Sequence, residues 1–163
     1  LPMKALLWIL LALAGAAAHA ADEASIDISG TLIPPPCTPR FPSSQQVDLG
    51  NVSLGQLAAD SAASTDVPLV FDCRAGTRVT LKLSAGQGSA DNLTLLTDRA
   101  NLGLRLNLLH NSTQTDFSLG AANSWLLADA PLALNLRVKP VALDEPPEAG
   151  SYSALVLMEM TYL

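Results

Sequence analysis

Residues 150–163 read GSYSALVLMEMTYL and alternate between two kinds of side chain along their length. The first set is apolar or aromatic and consists of Tyr152, Ala154, Val156, Met158, Met160 and Tyr162. The second set mixes serines and leucines with Glu159 and Thr161. Because successive side chains of a strand point to opposite faces, the alternation predicts a half-buried β-strand. An apolar strand needs a neighbour on each side, or its edge invites aggregation. We expect that neighbour to come from earlier in the chain or from another chain.

A second alternating stretch lies near the other end of the chain, in residues 21–33 (ADEASIDISGTLI). The residues on one face of this predicted strand are Ala24, Ile26, Ile28, Gly30 and Leu32. Three prolines, Pro34 to Pro36, follow at once. They remove amide donors and separate the strand from what comes next. Two interpretations stay open: an ordinary first strand of a sandwich, or a segment that pairs with a different molecule.

Residues 1–20 have the three parts of a secretion signal. Lys4 provides the positive charge, residues 5–14 the apolar core, and Ala18-His19-Ala20 a small-x-small cleavage site. We expect cleavage before Ala21. The apolar run is short for a transmembrane span. An exported protein is therefore predicted.

The sequence contains two cysteines, Cys37 and Cys73. In the oxidising compartment that the export signal implies, an isolated pair predicts one disulfide. The alternative is two buried free thiols.

Composition and motifs argue against several functions. With 49% hydrophobic residues, the chain suits one globular domain, and a net charge of -6 disfavours nucleic acid as a partner. After the signal, His110 is the only histidine, which excludes a multi-histidine metal site. Beside Asn111 and Ser112 it suits a solvated turn better than a catalytic role. No phosphate-binding glycine loop or Gly-x-Ser-x-Gly sequence occurs. We therefore expect no enzymatic activity, cofactor or metal.

The middle of the chain carries further strand patterns separated by turn residues, which predicts an all-β domain. The patterns cover residues 67–73, 78–85, 93–96, 102–109 and 132–143. Pro140 is expected to mark a sheet edge or a strand end, because proline cannot donate to a ladder. Residues 117–127 look irregular. About six body strands are predicted.

Several of these residues resemble those of the type 1 and P pilus subunits of the chaperone–usher pathway. That family has a glycine fourteenth from the C-terminus and a penultimate tyrosine, where this chain has Gly150 and Tyr162. It also has a glycine seven residues before the first cysteine, which corresponds to Gly30. The Val-Asp-Leu-Gly sequence at 47–50 matches as well. The N-terminal stretch is most similar to that of minor tip and linker pilins.

The resemblance implies a fold and an organisation. It implies an incomplete immunoglobulin-like β-sandwich of six strands that lacks its C-terminal seventh. Residues 21–33 would be a donor-strand extension, and residues 34–163 the pilin domain. The donor residues would be Ala24, Ile26, Ile28, Gly30 and Leu32. The closing strand and acceptor groove would include Gly150, Tyr152, Val156, Met158, Met160 and Tyr162.

The resemblance also implies partners. A periplasmic chaperone would lend a strand to the groove, an outer-membrane usher would receive the complex, and a neighbouring pilin's extension would replace the chaperone strand. The product would be a cell-surface fimbrium that supports adhesion. A tip adhesin is an alternative, although such adhesins carry an extra lectin domain and lack a donor extension. A base-terminating subunit is another. An enzyme or metal protein on a β-sandwich is the alternative from a different class.

Overall fold

The computed structural model describes residues 22–128 and 131–163. The chain divides into an N-terminal unit that ends at Ile33 and a domain formed by residues 34–163. The predicted export signal lies outside the described residues.

In the N-terminal unit, residues 22–33 form no regular secondary structure. The side chains of Ile26, Ile28 and Leu32 are 83%, 92% and 100% exposed. A strand is defined by hydrogen bonds to a neighbouring strand, so an unpaired segment can carry the alternation without a ladder. The donor-strand interpretation of these residues remains a prediction.

Within its described residues, the domain contains ten strands and one short helix. They are β1 (Cys37–Pro39), α1 (Leu54–Ala58), β2 (Thr65–Cys73), β3 (Arg78–Ala85), β4 (Ser89–Asp91), β5 (Thr94–Leu96), β6 (Leu102–His110), β7 (Thr113–Thr115), β8 (Ala122–Leu126), β9 (Leu132–Ala142) and β10 (Val156–Tyr162). Six strands have five or more residues, and the other four have three. About six strands were predicted, and they correspond to β2, β3, β5, β6, β9 and β10, whereas β1, β4, β7 and β8 were not among them.

Two antiparallel sheets face each other and are not closed into a barrel. The larger sheet has the order β1-β2-β9-β6-β5-β4, with β7 also paired to β6. The smaller has the order β10-β3-β8. Their inner faces share one core, in which Phe71, Leu83, Leu106 and Leu132 are almost completely buried. The all-β immunoglobulin-like class predicted from the sequence is confirmed.

Strand β8 corrects the prediction that residues 117–127 are irregular. It pairs with β3 from Arg78↔Leu126 to Lys82↔Ala122. Its side chains alternate only between exposed and half-buried. An edge strand with Asn123 and Ser124 at its centre therefore lacks the apolar alternation by which strands are recognised.

Pro140 lies inside β9, a central strand, and not at a strand end. Opposite it on β6 is Leu104. On the other side of β9, the pairing with β2 reaches only as far as Val138. At Pro140 the strand therefore has a neighbour on one side, and the missing amide donor removes no bond to β2.

Two local features complete the domain. Helix α1 begins with a capping box in which the Ser53 hydroxyl accepts from the Gln56 amide and the Gln56 side chain accepts from the Ser53 amide. The sequence analysis did not predict this helix. The predicted disulfide between Cys37 and Cys73 is confirmed, and it joins residues that are opposite each other in β1 and β2.

Candidate functional site

Strand β10 is an edge strand of the smaller sheet. On one side it pairs with β3 in continuous register, from Val156↔Ala85 to Tyr162↔Val79. On its other side, residues 22–128 and 131–163 provide no partner strand. This edge is the candidate functional site, because an unpaired edge is a template for pairing with another strand.

The side chains of residues 152–162 alternate as the sequence predicted. The even-numbered ones are half-buried and pack against the core: Tyr152, Ala154, Val156, Met158, Met160 and Tyr162. The odd-numbered ones are exposed, and Leu155 and Leu157 are 54% and 55% exposed. The structure thus brings every predicted groove residue except Gly150 onto one face.

The backbone of β10 alternates in step with its side chains. Leu163 and Arg78 exchange both amide hydrogen bonds, at 2.8 and 2.9 Å, and the Gly86 amide donates to the Leu155 carbonyl at 2.8 Å. In an antiparallel pair, every second residue bonds to the same neighbour. The odd-numbered residues of β10 therefore bond to β3, and the even-numbered residues point their N–H and C=O groups at the free edge. Each inward side chain belongs to a residue whose backbone groups face that edge.

Two edge strands, β1 of the larger sheet and β10 of the smaller one, lie on the same side of the sandwich. The Phe71 ring of β2 contacts Tyr162 of β10, with centroids 6.3 Å apart. Farther across, His110 of β6 contacts Trp125 of β8 at 6.3 Å. Since β2 lies over β10 and β6 lies over β8, β1 and the open edge of β10 are at the same end of their sheets. Phe41 lies just beyond β1, and its ring contacts that of Phe71 with centroids 5.1 Å apart. It adds to the apolar surface that Phe71 and Tyr162 form between β1 and β10.

Two half-buried tyrosines lie in this region, Tyr152 and Tyr162. Burial raises the pKa of the Tyr162 phenol above its usual value. Burial also raises the pKa of Tyr152, and the negative charge of Asp48 adds to that shift. The Tyr152 hydroxyl is buried and finds no hydrogen-bond partner in the described part of the chain. The other inward side chains of β10, Val156, Met158 and Met160, are apolar, and they suit an apolar occupant.

Residues 150–155 come before β10 and are held by the loop of residues 97–101, which connects β5 to β6. Asp98 accepts hydrogen bonds from the Ser153 amide at 2.7 Å and the Ser153 hydroxyl at 3.2 Å. The Asp98 amide donates to the Ser153 carbonyl at 3.0 Å. The Arg99 Nε donates to the Ser151 carbonyl at 3.0 Å. Sequence reasoning missed these contacts, because the partners are more than fifty residues apart and no local pattern joins them.

Gly150 lies at the start of this held segment and not in the groove. Its φ of +144° is a conformation that side chains disfavour. A Cβ atom here would also overlap the Arg99 guanidinium. The glycine is therefore explained by the path of the backbone beside Arg99.

Other kinds of site find no support among residues 22–128 and 131–163. No group of His, Cys, Asp or Glu there could hold a metal ion, and no helix is long and apolar enough to cross a membrane. Cavities of about 220 and 300 Å³ flank α1. They share the lining residues Leu54, Leu57 and Pro147, and neither contains a cluster of catalytic groups.

Comparisons with known proteins agree with this geometry. A family model described as "Fimbrial protein" matches residues 26–163. No curated protein sequence matches the chain.

Three solved structures have a similar fold. The P pilus rod subunit PapA is 21% identical, with 78% of this chain and 99% of that chain covered and a TM-score of 0.54. A chaperone–usher pilus solved to explain rod uncoiling is 19% identical, with 91% and 100% covered and a TM-score of 0.60. The P pilus adaptor subunit PapF is 19% identical, with 79% and 97% covered and a TM-score of 0.52.

Proposed function

The chain belongs to the fimbrial protein family, and from this we propose that it is a structural subunit of a chaperone–usher fimbrium that polymerises by donor-strand complementation. One observation carries the proposal: the free edge of β10 presents inward apolar side chains and unpaired backbone groups on the same residues. A strand added there would complete both the ladder and the core. Strand addition of this kind is an established mode of peptide recognition.

The N-terminal unit supplies a segment with the matching pattern. Ala24, Ile26, Ile28, Gly30 and Leu32 alternate with polar residues over nine positions. Their large apolar members are exposed in the structure. Burying an isoleucine or leucine side chain contributes about 1.5 to 3 kcal/mol. The chain thus has both halves of a polymerising joint, a donor and an acceptor.

The proposed role defines the partners and the location. Before assembly, a periplasmic chaperone covers the free edge of β10, and an outer-membrane usher receives the complex. In the fibre, the extension of a neighbouring pilin takes the chaperone's place. The product is a cell-surface fimbrium that supports adhesion. This role needs no catalysis, and a donor segment together with a free edge favours a subunit within the fibre over a tip adhesin.

The experiment uses Gly30, the one donor position without a side chain. The exported chain is purified with its chaperone and mixed with a peptide of residues 21–33, and chaperone release is followed on a gel. The peptide Gly30→Leu should be slower, because about four extra carbons would press on a packed floor, and overpacking costs roughly 1 to 3 kcal/mol.

The matched control is the peptide Ser29→Leu. It adds the same side chain one residue away, on the opposite face of the donor, and should act like the unmodified peptide. Equal rates for the Gly30→Leu and unmodified peptides would contradict the donor interpretation of residues 21–33.

A further inference from the structure

The part of the edge that β3 supports is shorter than the donor segment. The β10–β3 ladder covers seven residues, Val156–Tyr162, and contains four inward side chains. The donor pattern has five inward positions, from Ala24 to Leu32. Strand β3 ends at Ala85, and its ladder side is continued only by the bond from the Gly86 amide to the Leu155 carbonyl.

Beyond that point the 97–101 loop replaces β3. The Asp98 carboxylate and amide bond the amide and carbonyl of Ser153 at 2.7 and 3.0 Å. Arg99 bonds the carbonyl of Ser151. Like Leu155, these are odd-numbered residues, so the loop binds the same side of the strand as β3 does. Backbone groups of Ser151, Ser153 and Leu155 are therefore bonded on the side of the strand that β3 occupies.

The consequence concerns Tyr152 and Ala154. Both keep half-buried side chains packed against the core, as the even-numbered residues of β10 do. Because their odd-numbered neighbours are bonded to the loop, the backbone groups of Tyr152 and Ala154 face the free edge. Counting Tyr152 and Ala154, the edge open to a donor strand has six inward residues instead of the four in β10. It is therefore long enough for the whole donor segment.

Gly150 keeps this arrangement possible. Its backbone passes next to the Arg99 guanidinium, where a Cβ atom would overlap that group. The guanidinium can therefore approach the chain closely enough for Nε to reach Ser151.

We infer that Asp98 and Arg99 are positioning residues that lengthen the acceptor edge, so that it accepts the complete extension of a second copy of this chain. The inference rests on the proposed function and assigns its partner: residues 24–32 of an identical subunit. Each residue acts through residues 151–153, because Asp98 bonds Ser153 and Arg99 bonds Ser151.

The test compares two ends of the donor. The exported chain, purified with its chaperone, is titrated with the unmodified peptide of residues 21–33 and with the peptides Ile26→Ala and Leu32→Ala. Each truncation removes apolar contact near one end and should weaken displacement about tenfold in the wild-type chain. In the Asp98→Ala chain, truncating the donor at the end nearest residues 152–154 should weaken displacement less than about threefold. Truncating the other end should still weaken it about tenfold.

Two further chains make the result decisive. Asp91→Ala is the control, since Asp91 also accepts a backbone hydrogen bond, from Leu93 at 2.9 Å, but lies outside the 97–101 loop. It should keep both penalties. Arg99→Met removes the bond to Ser151 and should act like Asp98→Ala, and it decides the matter if Asp98→Ala does not fold.

The outcomes separate the two claims. If both penalties are unchanged in Asp98→Ala and Arg99→Met, the positioning role is wrong and the proposed function stands. If the unmodified peptide does not displace the chaperone from the wild-type chain, donor pairing between identical subunits is wrong, and the positioning role falls with it.

Discussion

Replacing both cysteines by alanine should destabilise the domain by about 4 kcal/mol. Cys37 and Cys73 are 36 residues apart, and in the chain-entropy model a loop of this length gives that stabilisation by restricting the unfolded chain. The bridge also fastens β1, which has only three residues and pairs with β2 alone. Other bonds at this corner run from the Arg74 amide to the Pro36 carbonyl at 2.9 Å, from the Arg40 amide to the Val70 carbonyl at 2.8 Å, and between the Arg40 and Asp72 side chains.

Equilibrium urea unfolding measures the loss. The measurement uses a variant in which a second copy of residues 22–33 is joined after Leu163 by a short Gly-Ser linker. The proposed function predicts that this variant is a folded monomer. With a urea dependence of roughly 2 kcal/mol per molar, the midpoint should fall by about 2 M in the double variant. Intact mass provides the control: the parent should be two hydrogens lighter than its reduced form, because no free thiol is present.

A loss below about 1 kcal/mol would contradict the entropic argument, because a loop this long predicts several times more. Two alkylatable thiols in the native parent would show that the bridge does not form in the exported protein.

Three further predictions follow from named contacts. Gly103→Ala should cost about 1 to 3 kcal/mol in urea unfolding, because the new Cβ would lie 2.7 Å from the buried Thr94 methyl group. The free energy of unfolding should be constant below about pH 10 and fall above it, because the raised pKa values of Tyr152 and Tyr162 keep both phenols neutral in the folded state while they ionise in the unfolded state. Urea midpoints at several pH values test this prediction. Replacing both tyrosines by phenylalanine should reduce the fall. A chain that lacks residues 22–33 and is expressed without a chaperone should aggregate, and a stable, cooperatively folding monomer in size-exclusion chromatography would show the sandwich to be complete.

The sequence predicted those parts of the fold that depend on local alternation. The faces of β10 follow directly from the pattern of residues 152–162, because a half-buried strand must sort its side chains by polarity. The disulfide followed from cysteine number and compartment. Strand β8 escaped prediction because an edge strand with little burial leaves no such pattern.

The support of the candidate site could not be predicted in the same way. Asp98 and Ser153 are 55 residues apart, and their contact exists only because two sheets bring a loop and a strand end together. Pro140 shows the same limit, since its tolerance inside a central strand depends on where β2 stops. Such features depend on the boundaries of neighbouring elements, and a single strand's sequence does not contain them.

Along β10 the inward side chains and the unpaired backbone groups belong to the same residues, so the register of a strand paired there can change only in fixed steps. A donor that slips by one residue would turn its apolar side chains outward, and the core would be lost. A slip by two residues, about 6.8 Å, restores both the ladder and the burial. Alternative registers therefore differ by two residues, and a paired strand must separate from β10 to move from one to another. Under the proposed function, Gly30 is the one donor position without a side chain, so it would distinguish the intended register from those two residues away.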